Sequence, residues 1–158
     1  MEVSKKSPRK RISVIVKPTH DCNLACAYCY IDPNAESGRM NEGTLRSMTD
    51  KFLDIFDSVS FIWHGGEPLT MPLDFYRQAV EIQRGHDGKV ATNGFQTNGT
   101  LVTDEVLDFC ERYHFHLGFS LDGPARVNDR TRYGANHESA FDRIFAAMKK
   151  AKERILEF

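Results

Sequence analysis

Three cysteines lie close together in the stretch CNLACAYCY, at Cys22, Cys26 and Cys29. Cysteine thiolates at such short spacing are typical ligands of a metal centre. A structural zinc ion is bound by four protein ligands and has no open coordination position. His20 is the nearest candidate for a fourth ligand beside the three cysteines. A [4Fe–4S] cluster is also held by thiolates, and with three of them one iron stays open for a substrate or cofactor. The spacing favours the cluster, and zinc stays open as the alternative.

The fourth cysteine, Cys110, lies far from the other three, in the stretch VLDFCERY. Its place on the apolar stripe of a predicted helix indicates a small buried hydrophobic residue. The basic N-terminus leads into an apolar run, ISVIV, that is far too short for a signal peptide. We therefore expect a cytoplasmic protein, in which thiols are kept reduced and a disulfide framework is disfavoured.

The overall composition is that of an ordinary folded domain, with 158 residues, of which 41% are apolar and 27% are charged. This length predicts one domain over residues 11–158, preceded by a basic tail at residues 1–10. The net charge of −1 gives no general attraction to nucleic acid, so no nucleic-acid partner is expected. The sequence has no run of about 18 apolar residues, so no membrane span is expected either.

The spacing of apolar residues predicts four strands, each followed by a helix. The strands are predicted at residues 11–18, 58–66, 89–99 and 115–123, and the helices at residues 42–57 and 73–84, after Thr103, and at residues 141–155. Thr103 is the predicted N-cap of the third helix. The third strand is the weakest of these predictions, because its Asn93–Gly94 pair is also typical of a turn.

Each predicted helix carries apolar residues at intervals of three and four, the pattern of an amphipathic helix. In chain order these stripes are Leu45, Met48, Phe52, Ile55 and Phe56; Leu73, Tyr76, Ala79 and Val80; Val106, Leu107 and Cys110; and Phe141, Ile144, Phe145, Met148 and Ile155.

Strands that alternate with helices predict an α/β fold of four successive βα units, with a parallel sheet and right-handed crossovers. In such folds ligands bind at the carboxyl ends of the strands. Polar and glycine-rich segments fall at those ends, at residues 19–30, 64–68, 96–100 and 120–124. Four strands do not close a barrel of the usual kind, so the predicted sheet is incomplete by itself.

Four segments of the sequence resemble the radical S-adenosylmethionine (SAM) superfamily. CNLACAYCY resembles its signature of three cysteines with an aromatic residue, here Tyr28, just before the last. WHGGEPL, QTNGT and SLDGPARVNDRTR resemble the segments that follow its second, third and fourth strands, in the same order. The chain is similar in particular to the SPASM-type enzymes that modify peptides, which include anaerobic sulfatase maturases and maturases of ribosomally made peptides. The resemblance covers roughly residues 12–150.

The resemblance implies a partial (β/α)6 TIM-like barrel, of which the four predicted units are about the first two-thirds. Relatives of this kind add a C-terminal domain with further cysteines for auxiliary clusters, and this sequence ends before such a domain. We therefore expect a truncated radical SAM core domain. It could be a piece of a longer protein, a degenerate gene product, or a chain whose barrel is completed by a second copy or a separate partner.

The resemblance also implies which residues hold the cluster. Cys22, Cys26 and Cys29 would ligate it, and the amino and carboxylate groups of SAM would chelate the open iron. Tyr28 would lie near the adenine of SAM.

The segments after the later strands would hold SAM and the substrate. The methionine end of SAM would be received by Gly65, Gly66, Glu67 and Pro68, where the glycines allow close backbone approach. Ser120 and Arg132 match residues that hydrogen-bond the ribose and pair with the SAM carboxylate, and Arg130 is a second candidate for that pairing. Asn98 would face the ribose, and Gln96 would point toward the substrate.

By resemblance, the function is generation of a 5′-deoxyadenosyl radical from SAM for modification of a peptide or protein substrate, with a flavodoxin or ferredoxin as electron donor. Two alternatives remain. The chain could be a catalytically inactive fragment that serves as a peptide-binding module, or it could be a zinc-binding domain. No side chain is assigned a catalytic role.

Overall fold

The computed structural model describes residues 9–32, 38–134 and 136–155, with Ile155 described by its backbone alone. Most of the predicted basic tail lies outside these residues, and its boundary stays a prediction. The chain is anchored from Lys10 onward. The N–H of Lys10 donates to the Asp57 carboxylate at 3.0 Å, and its carbonyl accepts from the N–H groups of Asp57 and Ser58.

The fold is α/β, with a sheet of four parallel strands in the order β1-β2-β3-β4 and helices between the strands. The strands are β1 (Arg11–Thr19), β2 (Ser58–Gly65), β3 (Val90–Thr97) and β4 (Phe115–Phe119). The helices are α1 (Glu42–Ile55), α2 (Leu73–Arg84), α3 (Asp104–Tyr113), α4 (Ala125–Thr131) and α5 (Phe141–Ile155). The prediction of four successive βα units with a parallel sheet is therefore confirmed.

The end of the fourth strand differs from the sequence prediction. β4 ends at Phe119, so the predicted continuation to residue 123 is wrong. Gly123 has a φ of +126°, outside the range of a strand residue, and it turns the chain toward Pro124. The short helix α4 then begins, which the sequence analysis did not predict. The loop between β4 and α4 is thereby brought over the carboxyl end of the sheet.

The Asn93–Gly94 pair lies inside β3, so the turn alternative is wrong. The Asn93 side chain is buried and all of its polar atoms have partners. Its Oδ1 accepts from Trp63 Nε1 at 3.0 Å and from Gln83 Nε2 at 3.1 Å, while its Nδ2 donates to Gln83 Oε1 at 2.7 Å. Because neighbours on β2 and α2 satisfy this amide, tertiary contacts override the local turn preference.

The main core is an aromatic cluster between the sheet and helices α2 and α3. Its central members are buried aromatic side chains from both layers: Trp63, Tyr76, Phe95, Phe109 and Phe115. Ring centroids lie 4.7 Å apart for Tyr76 and Phe95, and 4.9 Å apart for Phe95 and Phe115. Contacts of this kind add to the free energy gained from burial.

The predicted helix stripes are confirmed for α2 and α3. Tyr76, Ala79 and Val80 of α2 are buried, and α3 begins at its N-cap Thr103, whose side chain accepts from Val106 N. Cys110 is 2% exposed, which confirms its prediction as a buried apolar residue. Burial, with a smaller effect from nearby Glu111, raises the pKa of its thiol to about 12.

The predicted apolar stripes of α1 and α5 are only partly confirmed. In α1 the buried residues are Leu45, Thr49 and Leu53, whereas the predicted Ile55 is 59% exposed. In α5 Ile144 is fully buried, and Phe145 is exposed on the neighbouring face. The predicted Ile155 side chain lies outside the described atoms. In the described part of the chain, none of these helices is long and apolar enough to cross a membrane.

Candidate active site

An open cavity of about 970 Å³ lies at the carboxyl edge of the sheet. It is lined by most of the loop after β1, by the residues that end β2 and β3, and by the segments that follow β4 and α4. The predicted site residues that line it are Cys22, Cys26, Tyr28, Cys29, Gly65, Gly66, Gln96, Asn98, Ser120 and Arg132. Four segments that are distant in sequence therefore meet where a parallel sheet binds its ligands.

The cysteine loop, residues 20–32, is fixed by backbone hydrogen bonds to the end of α4 and the segment after it. Ala25 N donates to Tyr133 O and Ala27 N donates to Thr131 O, both at 2.8 Å. All three thiols are free, with Cys22 and Cys29 exposed and Cys26 half-buried. The loop therefore presents three unpaired thiols to the cavity.

Among the described residues, hydrogen-bond donors face the sulfur atoms of Cys22 and Cys26. Cys22 Sγ accepts from Leu24 N at 3.4 Å and from Asn98 Nδ2 at 3.8 Å, and Cys26 Sγ accepts from Arg132 Nη1 at 3.9 Å. Burial raises the pKa of both thiols, and the positive charge of Arg132 opposes that rise at Cys26. A bound cation would favour the thiolates further, as in any cysteine metal site.

Three free thiols on one loop are the donor set that a cluster with one open iron requires. A cuboidal cluster binds each thiolate at a different iron, so its three ligands surround a volume and do not converge on one point. His20 lines the same cavity, yet the described residues contain no three His, Cys, Asp or Glu side chains that converge on one ion position. The zinc site with His20 as fourth ligand stays an alternative.

The two glycines at the end of β2 allow the end of β1 and the start of the cysteine loop to pack closely against them. Gly65 has a φ of +114°, and a side chain there would place its Cβ 2.6 Å from the Thr19 carbonyl. A Cβ on Gly66 would collide with the carbonyls of His20 and Asp21. Backbone hydrogen bonds join the two segments, with Gly66 N donating to Thr19 O at 3.0 Å. Any larger residue would therefore push the cysteine loop outward.

Glu67 and Pro68 are the two predicted site residues that do not line the cavity. Glu67 is 1% exposed, and its carboxylate accepts from Leu69 N, from Thr97 Oγ1 and from Asn98 N, at 3.0, 2.7 and 2.7 Å. Burial raises the pKa of this carboxyl group, against the effect of the three hydrogen bonds. Its predicted contact with the methionine end of SAM stays a prediction, and the structure shows that it joins the ends of β2 and β3.

Asp122 organises the other side of the cavity and was missed by the sequence analysis. Its carboxylate accepts hydrogen bonds from Tyr28 Oη at 2.7 Å, from Thr131 Oγ1 at 2.7 Å and from Arg132 Nε at 2.9 Å. Burial alone would raise the pKa of Asp122, but these hydrogen bonds outweigh it and hold the pKa below its usual value. The signal was present as the acidic residue of SLDG, a segment in which only Ser120 was singled out from the sequence.

Asp122 also orients Tyr28 and Arg132 relative to each other. The Arg132 guanidinium lies 5.3 Å from the centre of the Tyr28 ring, a cation–π arrangement. Partial burial and then the hydrogen bond to Asp122 raise the pKa of Tyr28 to about 12. The competing candidate Arg130 is exposed on α4 and is not among the cavity residues.

Gln96 and Ser120 contact each other across β3 and β4. Gln96 Nε2 donates to Ser120 Oγ at 3.0 Å, and both side chains line the cavity. Their predicted roles, toward substrate and ribose, stay predictions.

The segments that carry these site residues match a known protein family. The sequence profile described as the radical SAM superfamily matches residues 16–157, which is most of the chain. This chain belongs to the radical SAM superfamily. The resemblance stated from the four motifs is thereby confirmed, and the prediction of SAM and [4Fe–4S] chemistry agrees with the family.

The curated relatives include anaerobic sulfatase-maturating enzymes. A serine-type enzyme of Bacteroides thetaiotaomicron is 35% identical, over 94% of this chain and 38% of its own length. A cysteine-type enzyme of Clostridium perfringens is 32% identical, over 93% of this chain and 42% of its own length. This chain therefore spans about two-fifths of the length of these relatives.

Solved structures confirm the fold. A structure of histidine-tagged anSMEcpe with bound AdoMet superposes with a TM-score of 0.85 at 31% identity, over 91% of this chain and 41% of that chain. Native anSMEcpe with bound AdoMet and the Cp18Cys peptide superposes with a TM-score of 0.81, over 90% of this chain and 40% of that chain. The four βα units are thus part of the TIM-like barrel of this superfamily.

Proposed function

We propose that this chain binds a [4Fe–4S] cluster through Cys22, Cys26 and Cys29 and binds SAM at the open iron. The observation that carries the proposal is the meeting of three free cysteines with the GGEP, QTNGT and SLDG segments around one cavity. When bound, the cluster and SAM supply one-electron chemistry that yields a 5′-deoxyadenosyl radical. Every other contribution comes from the chain, which orients SAM and limits the access of water.

The side chains around the cavity are suited to orienting SAM. Arg132 uses Nε for Asp122 and Nη1 for Cys26, and among the described residues its Nη2 has no hydrogen-bond partner, so we assign Nη2 to a carboxylate. Tyr28 presents an aromatic face beside it, and Ser120 has a hydroxyl within reach of the same space. The backbone at Gly65 and Gly66 has no side chain to obstruct the methionine end.

The substrate that we propose is a peptide or protein. Relatives are named for maturation of sulfatases, and one solved relative holds a peptide together with AdoMet. Gln96, on β3 at the cavity wall, is the proposed substrate contact. A reduced flavodoxin or ferredoxin would deliver the electron, and the cytoplasm is the compartment in which such donors and free thiols occur together.

Completion of the barrel is part of the proposal. Within the described residues β4 pairs with β3 alone, so its other edge has unpaired backbone groups. Further βα units, from the same polypeptide, a second copy or another protein, would extend the sheet there. The same edge favours the second candidate function, a peptide-binding module that adds a strand to β4 without catalysis.

The experiment is anaerobic reconstitution of the chain, followed by assay of 5′-deoxyadenosine from SAM and dithionite with iron counted on the same sample. The proposal predicts about four iron atoms per chain and more product than from a Cys26→Ala control. Iron without product would mean that the cluster site is present and that the remaining barrel is needed for turnover. Zinc, or no metal, would contradict the proposal. Peptide affinity that persists in Cys26→Ala would support the binding module.

A further inference from the structure

The amide of Asn98 is fully engaged within the protein, although the sequence analysis assigned it to the ribose. Its Oδ1 accepts from Thr100 N at 2.9 Å and from Thr100 Oγ1 at 2.7 Å. A backbone N–H can only donate, so the atom that faces it must be the amide oxygen. The amide orientation is therefore fixed, and Nδ2 is the atom that faces Cys22 and Asn23.

The two hydrogens of Asn98 Nδ2 have two acceptors. One is Asn23 Oδ1 at 2.9 Å, and the other is Cys22 Sγ at 3.8 Å. The network closes because Asn23 Nδ2 donates to Thr100 Oγ1 at 2.7 Å. Asn98 is 6% exposed, so the amide is held in place by both packing and hydrogen bonds.

Arg132 makes an equivalent contact on the opposite side of the loop. The Asp122 carboxylate binds its Nε at 2.9 Å and thereby orients the guanidinium plane. In this orientation Nη1 lies 3.9 Å from Cys26 Sγ. The sulfur atoms of two cysteines thus each face one side-chain N–H donor, and each donor is held by a separate partner.

We propose that Asn98 and Arg132 donate hydrogen bonds to the sulfur atoms of Cys22 and Cys26 in the cluster-loaded protein and so raise the reduction potential of the cluster. This inference rests on the proposed function, because it requires the cluster. One-electron reduction adds negative charge that is shared with the ligating sulfur atoms. An N–H donor stabilises that charge more in the reduced than in the oxidised state, so the potential rises.

The test is a redox titration of the reconstituted chain without SAM, followed by the electron paramagnetic resonance signal of the reduced cluster. In Asn98→Ala the equilibrium constant for reduction should fall about tenfold, which is about 59 mV toward more negative potential. Asn98→Asp should shift further in the same direction, because an oxygen and a negative charge replace the donor. Arg132→Lys keeps the charge and loses the Nη1 donor, and its potential should also fall.

Gln78→Ala is the matched control, since it removes an amide from the exposed face of α2, away from the residues that line the cavity. Its potential should equal that of the unmodified chain. Circular dichroism and iron content are measured on every sample. SAM affinity is measured by calorimetry, and in Asn98→Ala it should change by less than the tenfold that loss of a ribose contact would cause.

The outcomes separate the inference from the proposed function. If the unmodified chain holds no iron, the proposed function fails. If it holds the cluster and the potentials of Asn98→Ala and Arg132→Lys are unchanged, only the inference is overturned. If the reduction potential falls in only one of the two variants, the inference holds for the residue changed in that variant and is overturned for the other residue. Loss of iron from a variant, or weakened SAM binding at unchanged potential, overturns the inference for that residue in favour of a structural or ribose-binding role.

Discussion

The helix-facing side of the sheet and its carboxyl edge are built from different residues and are held together differently. On the helix-facing side, Trp63, Tyr76 and Phe95 are fully buried and contact one another or shared neighbours through their rings. At the carboxyl edge, Cys22 and Cys29 are exposed on a loop that is fixed by hydrogen bonds to distant segments. Apolar packing dominates the first region and polar contacts dominate the second.

Cysteine has a different role in each of the two regions. Cys110 packs inside the core as a small apolar group, whereas Cys26 faces the cavity beside a guanidinium. The difference indicates that the packed core can stay folded when a cysteine of the loop is replaced.

The largest expected effect is the loss of bound iron in Cys26→Ala. Removing one of three thiolates leaves a cluster without the ligands that hold it, so the iron content should fall to background. The α/β domain should remain folded, with a free energy of unfolding of the apo form within about 1 kcal/mol of the unmodified value. Iron analysis and chemical denaturation measure the two quantities.

Cys110→Ala is the matched control for that variant. It should keep its iron and lose about 1 kcal/mol of stability, because it removes a buried sulfur from the core. If Cys26→Ala kept its iron, or if both variants lost it equally, the contrast between loop and core cysteines would be wrong.

The next effect is on stability alone. Phe95→Ala should lower the free energy of unfolding of the apo chain by about 3–5 kcal/mol, because it leaves a cavity among Tyr76, Phe109 and Phe115. Denaturant titration measures this loss. Tyr28→Phe, on the exposed cysteine loop, should change stability far less. Equal losses in the two variants would mean that the loop contributes to the core.

Glu67→Gln tests the connection between the two regions. The buried carboxylate accepts three hydrogen bonds, and a glutamine would turn an NH2 group toward at least one of those donors. We expect a loss of about 1–3 kcal/mol, measured by denaturation of the apo protein. Glu42→Gln, at the exposed start of α1, provides the control and should cost only about 0.5 kcal/mol, through its surface ion pair with Arg46 and the helix dipole. If Glu67→Gln were as stable as that control, the hydrogen bonds of Glu67 between the ends of β2 and β3 would contribute nothing to stability.

The smallest effect is the pH dependence that Asp122 contributes. Its pKa in the folded state lies below the unfolded value of about 3.9. Its contribution to stability is therefore complete above about pH 4 and is lost as the pH falls through the folded-state pKa. Asp122→Asn should be less stable than the unmodified chain by under about 1 kcal/mol at pH 6, since partial exposure weakens the contribution.

The measurement for Asp122 is denaturation at several pH values. The difference between the two proteins should shrink as the pH is lowered from about 4 to 2. A difference that stays constant over this range would assign the effect to packing and not to the charge.

The sequence predicted the elements whose signals are local. Thr103 was recognisable as an N-cap from its own position and the acidic residues after it, and the stripe of α2 follows from spacing alone. Asn93 and Gly94 were ambiguous because the partners of that amide, Trp63 and Gln83, are distant in sequence. Helix α4 was missed because seven residues carry too little periodicity to indicate a helix.

The candidate site was predictable as a set of segments but not as a set of contacts. The motifs identified Arg132 and Asn98 correctly as residues of the cavity. No sequence signal showed that Asp122 would hold Arg132, or that the Asn98 amide would face Cys22. Such pairings depend on how strand ends converge in space, and a single sequence does not specify those distances.

Binding of a [4Fe–4S] cluster with SAM at its open iron is tested most directly by electron paramagnetic resonance. The spectrum of the reconstituted, dithionite-reduced chain is recorded before and after addition of SAM. We expect the signal of a reduced [4Fe–4S] cluster whose shape changes when SAM binds the open iron, and no such signal from Cys26→Ala. The absence of a cluster signal, or a signal identical with and without SAM, would contradict this expectation.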